Sequence, residues 1–350
     1  MRSESRAFFQ ELLEAAGPSG DERQPARAWR AYAHSFAEVS HDALGSSYAT
    51  VNPEGSPSLA IFGHIDEIGL VINFIDDEGF LWFGRVGGWD PEVLVGQRVR
   101  ILTADGPVPG IVGKKARHMQ SPEERAKASQ LDTLWIDVGA TDGDDARSRV
   151  HVGDLVIVEQ PVVELSAKRL VSRACDNRCG AYIAAEAVRL YAESPGTARV
   201  TGVATVAEET TLGGGHTSGY TAAPDVALAV DVTNCTDHPT TSKQKGGAVG
   251  LGKGPSLSRG AGIHPVVFEQ LVEAAEAEGI AYQVEPAGGE TGTDADAVIL
   301  SRGGVPVGVV SVPLRYMHSP NEQLDLDDLE ACVRLVAAFA RRLTQAPIAE

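Results

Sequence analysis

The stretch VTGVATVAEET, residues 200–210, decides the fold class. It is largely apolar from Val200 to Val206 and then places Glu208 and Glu209 side by side. Such a run reads as a buried strand that ends in charge. A second stretch, SLAIFGHIDE at 58–67, repeats the plan: Leu59 to Phe62 are apolar, and His64, Asp66 and Glu67 follow. Ligand-type side chains at the ends of buried strands do little for stability, but they are well placed to hold metal.

Working outward, short apolar runs alternate with helical patterns. Strands are expected at Leu59–Phe62, Val200–Val206, Asp225–Val230, Tyr282–Glu285 and Pro306–Val312. Helices are expected at Glu4–Ala16, Asp21–Ala37, Cys179–Ala192, Pro265–Glu278 and Leu326–Leu343. This alternation predicts an α/β layer fold. The middle of the chain breaks the pattern. LVINFI, FLWFGRV, QRVRIL, GPVPGIVG, TLWIDVGA and DLVIVEQ succeed one another between about residues 70 and 164, punctuated by Gly, Pro and Asp. Only Ser121–Gln130 looks helical there. These runs predict a small β-barrel-like domain at 70–164, inserted into an α/β domain made of 1–69 and 165–350.

Composition narrows the function classes. A chain of 350 residues can bury a large core. Its net charge of −18 offers no basic excess for phosphates and argues against nucleic acid. No apolar stretch reaches membrane-spanning length, and the charged N-terminal segment lacks the apolar core of a signal peptide. The expected location is the cytoplasm. Cys175, Cys179, Cys235 and Cys332 read as buried thiols in a reducing compartment, with no second pair to make a zinc ribbon.

Three further residues share the setting of His64 and the glutamates: Asp176 in RACDNRCG, Asp231 in ALAVDVTN and His318 in PLRYMHSPNE. Imidazole and carboxylate donors suit zinc, cobalt or manganese. A carboxylate can serve two metals at once, and Asp176, just before a helix, is placed to bridge. His64 and Asp66 are two apart, so on a strand they point the same way. Asp66 is then able to accept the second ring N–H of His64 and fix its tautomer. Adjacent glutamates diverge, so one can hold metal while the other acts as a base. Bland readings exist for each residue alone. A Glu pair suits a helix N-terminus, Asp231 can cap a turn with Asn234, and His318 can be a loop histidine. Their joint occurrence in one α/β domain favours a two-metal hydrolytic centre.

At these residues the chain resembles the glutamyl aminopeptidase and tetrahedral aminopeptidase family, peptidase family forty-two of the metallo class. GPSGDE (17–22), GHIDEIGLVI (63–72), SPEERAKASQLDTLWIDVGA (121–140), RACDNRCGAY, VAEETTLGGG, AVDVT, LGKGPSL, GTDADAV and YMHSPNEQ carry the resemblance in order along nearly the whole chain. It implies a three-layer aminopeptidase-like core and a β-rich dimerisation domain. It implies two divalent metals per subunit, zinc foremost, with cobalt and manganese as alternatives. His64, Asp176 and Asp231 would hold one; Asp176, Glu209 and His318 would hold the other. Glu208 would be the general base toward a metal-bridging water, and Asp66 would orient His64. The activity implied is removal of N-terminal residues from peptides. The assembly implied is a homo-oligomer, from dimer up to dodecamer. The GGETGTDADAV loop is slightly expanded, and its Gly289, Thr293 and Asp294 are substrate-pocket candidates. His118 of the insertion is a candidate to reach a neighbouring site, and Arg259, Arg302 and Arg315 are candidates to line the pocket. Three rivals are a metal-dependent deacylase or amidohydrolase on a specialised small substrate, a catalytically weak oligomeric shell protein, and a glycoside hydrolase with paired carboxylates, which leaves His64 and His318 unexplained.

Overall fold

Four parallel strands make the centre of an eleven-stranded sheet. Arg199–Thr205, Ser58–His64, Val226–Asn234 and Val307–Arg315 lie side by side in that order. Every position of Ser58–His64 is buried. That burial explains why the run is apolar without alternation: helices cover both faces. Antiparallel strands complete the edges, with Ser47–Val51 and Glu38–His41 on one side and Glu322–Asp325, Arg169–Ser172 and Val163–Glu164 on the other. The computed structural model describes residues 1–347.

The helix Cys175–Glu193 packs on the centre of the sheet and against the C-terminal helix Leu326–Arg342. Its first turn is irregular. Asp176 and Asn177 have non-helical backbone angles, and the peptide between them is cis. The sequence pattern placed the start of this helix at Cys179, so the irregular turn is what lay outside the helical periodicity. Edge strands such as Ser47–Val51 were not foreseen, because SYATV alternates too weakly. The glycine-rich helix Gly213–Ala222 also escaped the apolar periodicity.

Residues Gly69–Val158 form a closed six-stranded antiparallel barrel with its own apolar cluster. Each of the six strand-like runs read from the sequence supplies one barrel strand. The helix expected at Ser121–Gln130 is shorter: only Pro122–Arg125 is α-helical. A capping box between Ser121 and Glu124 starts the turn. Beyond it, Ser129 is drawn away by a backbone N–H bond to Glu92 and a bond from Lys114. Those tertiary bonds replace the helical ones.

One close approach sets how helix and sheet meet. Where Gly63 ends the apolar part of its strand, a Cβ would lie 2.3 Å from the carbonyl carbon of Gly180 and 2.7 Å from the nitrogen of Ala181. A Cβ on Gly180 would in turn meet the Val230 carbonyl oxygen at 2.2 Å. These backbones touch, and the contact fixes His64, Asp176 and Asp231 relative to one another. Gly63→Ala is expected to cost about 1–3 kcal/mol in chemical denaturation through overpacking against rigid backbone. Gly303→Ala, whose Cβ meets nothing within 4 Å, should stay within about 0.5 kcal/mol of the parent.

Candidate metal centre

All of the proposed ligands lie at the C-terminal ends of the central parallel strands, where open α/β sheets place their ligand crevices. His64 ends one strand, Asp231 lies in the last turn of pleats of another, and Glu208 and Glu209 follow a third by a few residues. His318 follows the fourth. Asp176 enters from the start of the helix Cys175–Glu193. The left-handed backbone of Ala207 makes the tight turn that swings the glutamate pair over the sheet edge.

Distances show how the side chains converge. Asp176 faces both histidines: Oδ1 lies 3.2 Å from His64 Nε2, and Oδ2 lies 3.3 Å from His318 Nε2. The adjacent glutamates do diverge. Glu208 Oε2 is 3.7 Å from His64 Nε2, whereas Glu209 Oε2 is 3.4 Å from His318 Nε2. Donor atoms of His64, Asp176 and Glu209 all lie within 4.8 Å of one another, as do those of His64, Glu208 and Asp231. By proximity alone Glu208, rather than Asp176, completes the second group. Asp66 Oδ1 approaches His64 Nδ1 at 3.4 Å, although the contact falls short of full hydrogen-bond geometry.

The centre is held from outside by side chains that bond to backbone. Asp66 accepts the N–H groups of Glu208 at 3.1 Å and Glu209 at 3.2 Å, and the Ser19 hydroxyl at 2.6 Å. Glu322 accepts the N–H of Asp176 at 3.0 Å and of His318 at 2.9 Å. Asn177 donates to the Val230 carbonyl at 2.9 Å, next to Asp231. Glu22 accepts the Ala207 N–H at 3.1 Å. Glu67 pairs with Arg173 and Arg178, which bracket Asp176 in the chain. The inserted barrel also reaches the site: a Cβ on Gly87 would lie 3.3 Å from Glu209 Oε2, and one on Gly88 would lie 2.8 Å from His318 Nδ1.

Glu322, Glu22, Asn177 and the Gly87-Gly88 pair had no role in the sequence reading. The signal for Glu322 was its place four residues after His318 in a strand that is buried throughout. Of the pocket candidates, Thr293 lines the cleft and accepts the Ala295 N–H. Asp294 is buried beneath it and takes the Thr205 hydroxyl. Gly289 is exposed, and neither it nor His118, on the exposed turn Arg117–Met119, lines the cleft.

Electrostatics follow from burial and crowding. Burial foremost, opposed by His64 and reinforced by Asp231 and Asp294, pushes the Glu208 carboxyl up to about 9. Burial likewise drives Asp231 well above the usual carboxylate range. Asp176 goes the other way. Burial opposes its ionisation, but the bonds from His318 and His64 prevail and hold it well below the usual range. His318 is pushed up to about 11 by Asp176 and Glu209. Protons on imidazole and carboxyl groups therefore offset the charge of the metal-free cluster. No lysine or arginine lines the cleft among the described residues, and the buried Glu209 Oε1 has no hydrogen-bond partner. An unpartnered buried oxygen with an excess of negative charge fits divalent cations.

Comparison with known proteins places the chain in a family. The family model for the M42 glutamyl aminopeptidase matches residues 45–335. A lysyl aminopeptidase of Pyrococcus furiosus is 32% identical over 309 residues, covering 87% of this chain and 87% of the relative. A TET aminopeptidase from a marine-sediment Thaumarchaeota archaeon superposes with a TM-score of 0.93 at 34% identity, covering 97% of this chain and 96% of its own. The TET1 peptidase of Pyrococcus horikoshii, described as assembling into a tetrahedron or a large octahedral shell, gives 0.87 at 29% identity and covers 97% of this chain and 100% of its own. No helix among the described residues is long and apolar enough to cross a membrane.

Metal uptake should displace the protons that the crowded cluster holds. Calorimetric titration of chelated protein with zinc at pH 7, run in two buffers of different ionisation enthalpy, is expected to show net proton release. Affinity should fall as pH is lowered. In the metal-free protein the raised Glu208 makes the opposite contribution to stability. That contribution is present below the ordinary carboxylate pKa and is lost as pH rises through about 9.

Proposed function

The chain belongs to the M42 glutamyl aminopeptidase family, and on that premise we propose that it hydrolyses N-terminal residues from peptides at a dinuclear metal centre with Glu208 as general base. It is a peptidase, and the family makes it a metal-dependent aminopeptidase. In our reading His64, Asp176 and Asp231 hold one ion, and Asp176, Glu209 and His318 hold the other. Zinc is the first candidate, with cobalt and manganese as alternatives of the same ligand type. The carrying observation is that Asp176 turns one oxygen to each histidine while Glu208 and Glu209 part toward different ones.

Divalent ions held by these residues would supply Lewis acidity toward the scissile carbonyl and the attacking water. Glu208 takes the proton of the attacking water at its carboxylate and returns it to the leaving amine. Burial and carboxylate neighbours keep Glu208 protonated without metal; divalent ions beside it would lower its carboxyl pKa and leave it ionised for proton capture. Asp66 holds the Glu208 N–H, so the base is aimed by the residue that also faces His64. Glu322 holds the backbones of Asp176 and His318 in place.

The proposal extends to architecture. Residues 1–69 and 165–350 form the catalytic domain, and 70–164 form a dimerisation domain through which copies assemble into a homo-oligomer. Exposed Phe74 and Val152 on the insertion, and the shell-forming relative, support this reading.

Glu208→Gln should retain metal and lose nearly all turnover, at least about a thousandfold, in keeping with loss of a general base. Glu209→Ala should lose metal as well as turnover. Elemental analysis beside hydrolysis of a peptide panel checks both. Equal metal loss in the two variants would reject this division of roles. Release of single residues is expected from free N-termini only. Cleavage of acetylated copies would instead move the chain to the deacylase reading.

A further inference from the structure

The cleft over the metal centre is small, about 240 Å³, and its lining is unevenly charged. Its ionisable lining residues all belong to the cluster of His64, Asp176, Glu208, Glu209, Asp231 and His318. The rest comes from the end of the strand Val226–Asn234, from the loop before Asp294, and from Met317, and is neutral. The arginines read from the sequence as pocket candidates are engaged elsewhere. Arg315 Nε donates to Asp237 at 2.8 Å. Arg302 donates to the Tyr220 carbonyl at 2.6 Å and lies over its ring. Arg259 sits over the Phe268 ring, 5.2 Å from its centroid.

The hydroxyls in the lining are spoken for as well. Thr233 donates to Glu285, and Thr291 donates to Asp296 at 2.9 Å. Asn234 differs. It is exposed at the edge of the cleft, and its amide touches only the Met317 sulfur, at 3.7 Å. A thioether is a weak acceptor, so this carboxamide keeps both a donor and an acceptor for a ligand.

From this lining we infer that the enzyme discriminates against acidic N-terminal residues and takes neutral ones, with Asn234 as the specificity-determining residue. The inference rests on the aminopeptidase reading. A carboxylate side chain entering the cleft would find no guanidinium or ammonium to pair with. The carboxylates of Asp176, Glu208, Glu209 and Asp231 already match the charge of two divalent ions, so no positive excess remains for another anion. A neutral amide of the same shape exchanges hydrogen bonds with Asn234 and brings no charge. The family carries a glutamyl name, and this chain departs from the preference that name describes.

The test is an isosteric pair. Peptides beginning with Gln and Glu, otherwise identical, are hydrolysed by the zinc-loaded protein, and the ratio of kcat/KM is measured. Gln over Glu by at least about tenfold is expected, on the scale set by a charge left unpaired in a binding site. Asn234→Arg should lower the ratio toward or below one by supplying the missing cation, and Asn234→Gln should preserve it. Calorimetric binding of free glutamine and free glutamate to the Glu208→Gln protein should give the same order without turnover. Turnover with a Gln to Glu ratio near one, or a ratio unmoved by Asn234→Arg, overturns the inference and leaves the aminopeptidase reading standing. Absence of turnover on every free peptide overturns both.

Discussion

Asp176, Glu208, Glu209 and Asp231 crowd one cleft with two imidazoles and, among the described residues, no lysine or arginine, and much of the surrounding structure follows from keeping them there. Like charges in a partly dry site repel and force protonation or counter-ions. The protein does not relieve the crowding by separating the groups. It ties down the backbone beneath each one with a side chain from another segment. Asp66 grips the glutamate pair, Glu322 grips Asp176 and His318, and Asn177 reaches the strand that carries Asp231. Several of these anchors are themselves buried acids, so the negative excess extends beyond the cleft lining. A site built this way has divalent cations as its natural complement.

Steric limits complement the electrostatic ones. Gly63 and Gly180 allow the first turn of the Asp176 helix to rest on the strand end that carries His64. A side chain at either position would meet backbone atoms at 2.2–2.3 Å and force the strand end and the helix start apart. Gly87 and Gly88 play a similar part from the barrel, where the absence of a Cβ leaves space for Glu209 and His318. The inserted domain thus borders Glu209 and His318 directly.

Legibility along the chain depended on how local each signal was. The fully buried strands announced themselves as unbroken apolar runs, and the six barrel strands were each readable between their Gly, Pro and Asp breaks. Edge strands such as Ser47–Val51 and the glycine-rich helix Gly213–Ala222 gave no periodic signal, because packing partners distant in sequence hold them. The segment after Ser121 looked helical locally, but tertiary bonds to Ser129 ended the helix after one turn. Glu322 carries no chemical signal in its local sequence; its role rests on two oxygens that reach the N–H groups of Asp176 and His318.

By itself, then, the sequence determined the candidate ligand types, their place at strand ends and the presence of an α/β core and a β-rich stretch, since residue chemistry and apolar periodicity are properties of short stretches. Only the tertiary structure decided which oxygen of Asp176 faces which histidine, which glutamate turns toward His64, and which residues hold the ligand backbones. It also decided that Arg259, Arg302 and Arg315 point their charge at other partners. Most of these outcomes are set by distances of a few ångströms between segments distant in sequence, or by a competing partner in space. No local pattern encodes either.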